Sequence, residues 1–146
     1  MGYWKIVQPV WDAINISDGP QVFARTFGSA PRASGLLFAA HFCQSEVSNG
    51  GFQQFFGNTT GVLAPEAVEG FQEIGQSQIA ALTEKAMSLI GTPYLRDREE
   101  RETRLTQISR SSLDALDEMF YSLIESEAGG FEAAADRYAA TIRPTA

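Results

Sequence analysis

Apolar residues recur at three- and four-residue intervals along nearly the whole chain. This spacing places them on one face of an α-helix. Alternating runs rich in valine, isoleucine and threonine, which are typical of strands, do not occur. The first segment, from Tyr3 to Ile16, predicts a helix with five residues on its inner face: Ile6, Val7, Val10, Ala13 and Ile14.

Proline and glycine divide the pattern into helices. Pro20 and Pro31 stand where helices start, since proline suits the first turn. Asn49-Gly50-Gly51 is the strongest turn signal, because glycine adopts left-handed backbone geometry without a Cβ clash. Further helices are predicted over Phe52 to Phe56, Pro65 to Ile74, Ser77 to Ile90 with Ser77 as its cap, Ser111 to Glu127, and Phe131 to Ile142. The whole chain, 1–146, is therefore predicted to be all-α: a single compact domain of six to eight helices.

Length and charge narrow the class further. A chain of 146 residues buries about two-thirds of its surface on folding, enough for a core without metal or disulfide. A net charge of -7 argues against direct binding to nucleic acid or to a membrane surface. The N-terminus lacks the long apolar region of a secretory signal, so we expect a cytoplasmic protein.

Residues for catalysis are scarce. The single histidine, His41, and the single cysteine, Cys43, are two positions apart and point to different sides of a helix. They do not form a nucleophile–base pair, and His41 is interpreted as a buried or half-buried core residue. We therefore predict no catalytic residues, no metal ligands and no cofactor, and the protein is expected not to be an enzyme.

Charge is segregated along the chain. No lysine or arginine occurs between residues 111 and 136, whereas Arg96 to Arg110 holds five arginines. The segment from Arg96 to Arg104 has no apolar stripe and is expected to be a solvated helix or a loop. An acidic surface is predicted from seven carboxylates: Asp114, Asp117, Glu118, Glu125, Glu127, Glu132 and Asp136.

Residues 45–61 read SEVSNGGFQQFFGNTTG. This segment resembles the signature of a bacterial all-helical family of unknown function, whose best-known member is a DNA mimic that binds a transcription factor. The resemblance extends to residues 10–15, 69–75 and 113–121. It implies a single helical domain that can pair as a homodimer. It also implies a basic protein partner, such as a transcription factor.

Two hypotheses follow. In the first, the acidic residues bind the basic surface of a protein partner, as a DNA mimic does. In the second, the signature forms a polar pocket of a small-ligand-binding or hydrolytic domain, lined by Glu46, Asn49, Gln53, Gln54 and Asn58. The signature also has a purely structural interpretation, in which the glycines reverse the chain and the three phenylalanines, Phe52, Phe55 and Phe56, bury against the preceding helix.

Overall fold

A computed structural model describes residues 2–142. Within this range the chain forms eight α-helices and three short 3-10 helices, with no strand. The all-α prediction of six to eight helices is confirmed. The α-helices are α1 (Trp4–Val7), α2 (Pro20–Gly28), α3 (Arg32–Gly57), α4 (Ala64–Glu73), α5 (Ser77–Ile90), α6 (Arg98–Leu105), α7 (Arg110–Ile124) and α8 (Phe131–Thr141); the 3-10 helices are Gln8–Val10, Thr59–Leu63 and Glu127–Gly129.

The N-terminal segment is less regular than its pattern predicts. Instead of one helix from Tyr3 to Ile16, a single turn, α1, leads into a 3-10 helix and then into turns. Pro9 explains the difference, because proline has no N–H to donate to the preceding turn. The apolar residues Val7, Val10 and Ile14 are nevertheless buried.

Helix α3 forms the centre of the fold, and α4, α6 and α7 pack against it. Its approach to α4 is close: a Cβ at Gly70 would lie 2.4 Å from the carbonyl oxygen of Leu36. Seven of the eight α-helices, all but α6, contribute buried side chains to one hydrophobic cluster. Among the described residues, α3 included, no helix has both the length and the apolar character that a membrane crossing requires.

Helix α6 differs from the expected solvated segment at one position. Arg101 is fully buried. Its guanidinium donates from Nε to the carbonyl of Phe56 at 2.8 Å, from Nη2 to that of Asn58 at 2.8 Å, and from Nη1 to that of Arg96. The last carbonyls of a helix lack intrahelical partners and carry partial negative charge. Arg101 thus caps the C-terminus of α3. Apolar side chains could not do so, because they have no hydrogen-bond donors.

Helix α5 is capped from a distance rather than by its own first residue. Ser77 was expected to cap it, but α5 has no local side-chain cap. The carboxylate of Glu127 instead accepts the N–H groups of Gln78 at 2.7 Å and Ile79 at 2.9 Å. A carboxylate satisfies these orphan donors and complements the helix dipole, so Glu127 fixes the start of α5 against the α7–α8 connection.

Candidate functional site: the break in α3 and the acidic face of α7

Helix α3 breaks at the predicted turn. Gly50 has φ -148° and ψ 18°, and Gly51 has φ 77° and ψ 179°. The second conformation is essentially restricted to glycine. The chain therefore leaves one helical segment and starts another at Phe52 within the span of α3.

Asp117, from α7, seals this break. Its Oδ1 accepts the N–H of Phe52 at 2.8 Å, so a residue 65 positions away caps the second segment of α3. A Cβ built at Gly51 would lie 2.4 Å from Oδ2 of Asp117, which leaves no room for a side chain. Burial raises the pKa of Asp117, and the hydrogen bond from Phe52 opposes that rise.

Polar side chains converge on Glu46 across the break. The carboxylate of Glu46 accepts hydrogen bonds from the Gln54 amide, from Nδ2 of Asn58 at 3.2 Å and from Oγ1 of Thr60 at 3.3 Å. Oε1 of Gln54 accepts from Nδ2 of Asn49 at 3.1 Å. Four of the five residues predicted to line a pocket are thus brought together, and Thr60 joins them. They bond to one another, which ties the two segments of α3 and the following 3-10 helix together.

Gln53, the fifth predicted pocket residue, is exposed and lies outside this network. A cleft of about 310 Å³ opens elsewhere, and its lining includes Gln44, Glu125 and Glu132. The polar cluster therefore has the geometry of a packed structural unit, consistent with the structural interpretation of the signature.

The three phenylalanines of the signature are fully buried, as the structural interpretation predicts. The Phe52 ring meets the Phe120 ring of α7 edge-on, with centroids 5.5 Å apart. Such pairs add to the free energy of burial. Phe52 and Asp117 thus connect two of the segments that carry the family resemblance, 45–61 and 113–121.

The seven predicted partner-binding carboxylates divide into two groups. Asp117, Glu127 and Asp136 accept backbone N–H groups, and Asp136 does so from Tyr3 at 2.9 Å. The other four are exposed: Asp114, Glu118, Glu125 and Glu132. No salt bridge recorded within residues 2–142 involves any of the seven.

Three of the exposed carboxylates share one side of α7. Asp114, Glu118, Tyr121 and Glu125 follow one another at intervals of four, three and four residues, which places them on one helical face. These four residues are called the α7 acidic face. The pKa of the Tyr121 phenol is raised, first by partial burial and then by nearby Asp117, Glu118 and Asp114. Glu125 and Glu132 both line the 310 Å³ cleft, which extends the negative charge towards α8.

The arginine-rich segment has its own partners. Arg96 pairs with Glu66 through two contacts of 2.8 and 2.9 Å, and Arg98 pairs with Glu102 at 3.0 Å. Arg104 donates to the carbonyl of Leu89 at 2.9 Å. Arg110 lies one turn before Asp114 and bounds the α7 acidic face at its N-terminal end.

His41 is half-buried among aromatic rings, as its interpretation as a core histidine predicts. Its Nδ1 lies 3.0 Å from the Tyr3 hydroxyl, and the Trp4 ring lies 5.3 Å away. Desolvation lowers the pKa of His41. Burial raises the pKa of Cys43 well above its ordinary value. Within the described range, no group of three histidine, cysteine or acidic residues is placed to hold a metal ion.

These features define a class: an all-helical protein built around a central helix that breaks at Asn-Gly-Gly and is capped there by an aspartate of a later helix. The chain belongs to the DMP19-like protein family, and the match spans residues 28–143. Comparison with curated proteins and with solved structures gave no match. The matched range contains both the break and the α7 acidic face.

Proposed function

We propose that this protein is a non-enzymatic interaction protein that binds the basic surface of a protein partner, such as a DNA-binding regulator, in the manner of a DNA mimic. The observation that carries the proposal is the α7 acidic face. Its carboxylates are exposed and belong to a stretch, 111–136, without a lysine or arginine. Charged groups that neither cap a helix nor form an ion pair are free to meet a partner.

The spacing of the charges indicates how such mimicry works. The three carboxylates from Asp114 to Glu125 span about 16.5 Å of helix axis, so neighbouring carboxylates are about 8 Å apart on average. Duplex DNA carries one charge per about 1.7 Å. A single face therefore meets selected phosphate-contacting lysines and arginines rather than reproducing a duplex. A homodimer that aligns two faces would double the density.

Binding of this kind depends on salt. Exposed charges are screened over about 8–10 Å at physiological ionic strength. Electrostatic complementarity mainly accelerates association and selects the partner. We expect the complex to weaken steeply between about 50 and 300 mM salt, and duplex DNA to compete with the protein for the same partner.

The test is affinity capture from an extract of the native host. The bait is compared with the variant Asp114→Lys/Glu118→Lys, which leaves the capping carboxylates intact. We expect the wild type to retain a basic, DNA-binding protein that duplex DNA releases, and the variant to lose it. Glu84→Lys, on the exposed side of α5, is the control for charge reversal.

Equal capture by the wild type and the double variant would contradict the proposal. The small-ligand hypothesis makes a different prediction: a metabolite should raise the melting temperature of the wild type but not of Gln54→Ala. A thermal-shift screen with both proteins distinguishes the two functions.

A further inference from the structure

We propose that the partner is a basic amphipathic segment, anchored by one apolar side chain in the groove between α7 and the start of α5 while its lysines or arginines meet Glu118. The inference rests on the proposed function and deepens it, because it assigns the partner an apolar anchor as well as positive charge. We call this groove, lined by Gln78, Glu118, Met119, Ser122 and Leu123, the Met119 groove.

Exposure singles out this groove. Met119 is 52% exposed, more than Tyr121 at 43% and Trp11 at 37%, the other large hydrophobic residues exposed in the described range. Met119 and Leu123 are four residues apart and share one side of α7. The groove is shallow and open to solvent, with a volume of about 420 Å³, and a side chain of the size of leucine or phenylalanine can lie in it.

The backbone on one side of the groove is fixed before any partner arrives. Gln78 forms one wall, and its N–H donates to the Glu127 carboxylate at 2.7 Å. Glu127 also accepts the next N–H, from Ile79, at 2.9 Å. A fixed backbone lowers the ordering cost of binding, while the side chains of the groove remain free to adapt. Glu127, predicted to touch the partner, acts here as a positioning residue for the groove wall.

Charge complementarity determines the occupant. Glu118 lines the groove and also belongs to the α7 acidic face, so apolar and negative surface are continuous. A second copy docked through the same patch in a two-fold contact would bring the two Glu118 carboxylates and their acidic neighbours together. Like charges oppose that arrangement. In a segment with a leucine or phenylalanine between lysines or arginines, the apolar side chain fits the groove and the positive charges meet Glu118 at its rim.

The division of roles follows from general interface energetics. Exposed charge pairs contribute little affinity and mainly set rate and selectivity. A few buried apolar or aromatic anchors carry most of the affinity of a protein interface. Methionine suits such a site, because its flexible thioether adapts to different apolar side chains.

The test uses three synthetic peptides of equal positive charge. The first is a helical peptide with lysines at i-4, i+3 and i+4 around one leucine; the second has serine in place of that leucine; the third is oligolysine. Protein labelled with ¹³C at the methionine methyl groups gives separate signals for Met87 and Met119. Calorimetry gives the affinities.

We expect the leucine peptide to bind at least tenfold more tightly than the serine peptide and to shift the Met119 methyl signal. Raising salt should weaken both peptides while their affinity ratio remains. Met119→Ser should reduce the ratio to about one. Ala140→Ser, a change at an exposed residue of α8 that belongs neither to the groove nor to the α7 acidic face, should leave the ratio unchanged.

Equal affinities for the three peptides would show that the groove does not bind an apolar anchor. If Asp114→Lys/Glu118→Lys still abolished capture in the host extract, the proposed function would stand without the apolar anchor. Absence of peptide binding would likewise overturn the inference. A Met119 signal that shifts with protein concentration alone would assign the groove to a second copy instead.

Discussion

The break in α3 and the acidic face of α7 use carboxylates in opposite ways. At the break, Glu46 accepts three hydrogen bonds from uncharged donors and Asp117 caps a helix. On the face, Asp114 and Glu118 are exposed. Asp117 and Glu118 are adjacent in sequence, and about 100° of helical rotation separates them. The net charge of the protein therefore does not tell which carboxylates stabilise the fold and which are available to a partner. That depends on the position of each carboxylate in the structure.

The two regions also handle positive charge differently. Near the break, Asn58 donates from its side-chain amide to the half-buried carboxylate of Glu46, and its backbone oxygen accepts a hydrogen bond from the buried guanidinium of Arg101. Asn58 therefore links two charges of opposite sign. The α7 acidic face is bounded by Arg110 only at its start. The break is expected to govern folding, and the face to govern association.

The largest effect is expected at Arg101. Arg101→Met leaves the backbone carbonyls of Phe56 and Asn58 without their donor. An unsatisfied buried acceptor costs about 1–3 kcal/mol, so the loss of both hydrogen bonds should cost about 2–6 kcal/mol. Urea denaturation measures the loss. Arg25→Ala, a change at an exposed arginine of α2 whose side chain does not contact the end of α3, should cost less than about 1 kcal/mol. Similar losses for both variants would contradict the role of Arg101.

The next effect is expected at Gly51. Gly51→Ala combines a backbone conformation that costs about 1–3 kcal/mol with a Cβ 2.4 Å from Asp117. We expect about 3 kcal/mol of destabilisation. Gly28→Ala is the control, since a Cβ there meets nothing within 4 Å and the helical backbone favours alanine. The melting temperature of each variant measures the effect. If Gly51→Ala melted at the same temperature as the wild type, the break would tolerate a side chain.

A smaller effect separates the neighbouring carboxylates. Asp117→Ala removes the cap of Phe52 and should cost about 1–2 kcal/mol. Glu118→Ala should change the free energy of unfolding by less than about 0.5 kcal/mol, yet weaken capture of the partner. If Glu118→Ala were the more destabilising of the two, the division between the regions would fail.

The smallest effect concerns pH. The folded state lowers the pKa of His41 below 6.5. The unfolded chain therefore binds the proton first as pH falls, and stability is lost below about pH 6.5. The melting temperature, measured as the pH is lowered, reports this loss of stability. His41→Gln should flatten the decline between pH 6.5 and 5. If His41→Gln lost stability with falling pH as steeply as the wild type does, the decline would arise from other groups.

Much of the fold was predictable, because it depends on local chemistry. Proline preference located the starts of α2 and α3, and the glycine pair located the break. The missed features are contacts between distant residues. Nothing near Arg101 in sequence signals that the end of α3 lies against it, and Thr60 joins Glu46 only because a 3-10 helix turns back. The candidate site was predicted as a set of residues, but not its division into caps and exposed charges.

The sequence by itself determined the helical class, most helix boundaries and the abundance of negative charge, since periodicity, turn residues and composition act locally. Tertiary structure decided which charges turn inward. Asp117 lies 65 residues from the N–H that it caps, and Glu127 lies 48 residues from Ile79. Only packing brings such partners together, because the free energy of a buried hydrogen bond depends on where the chain places its donor and acceptor.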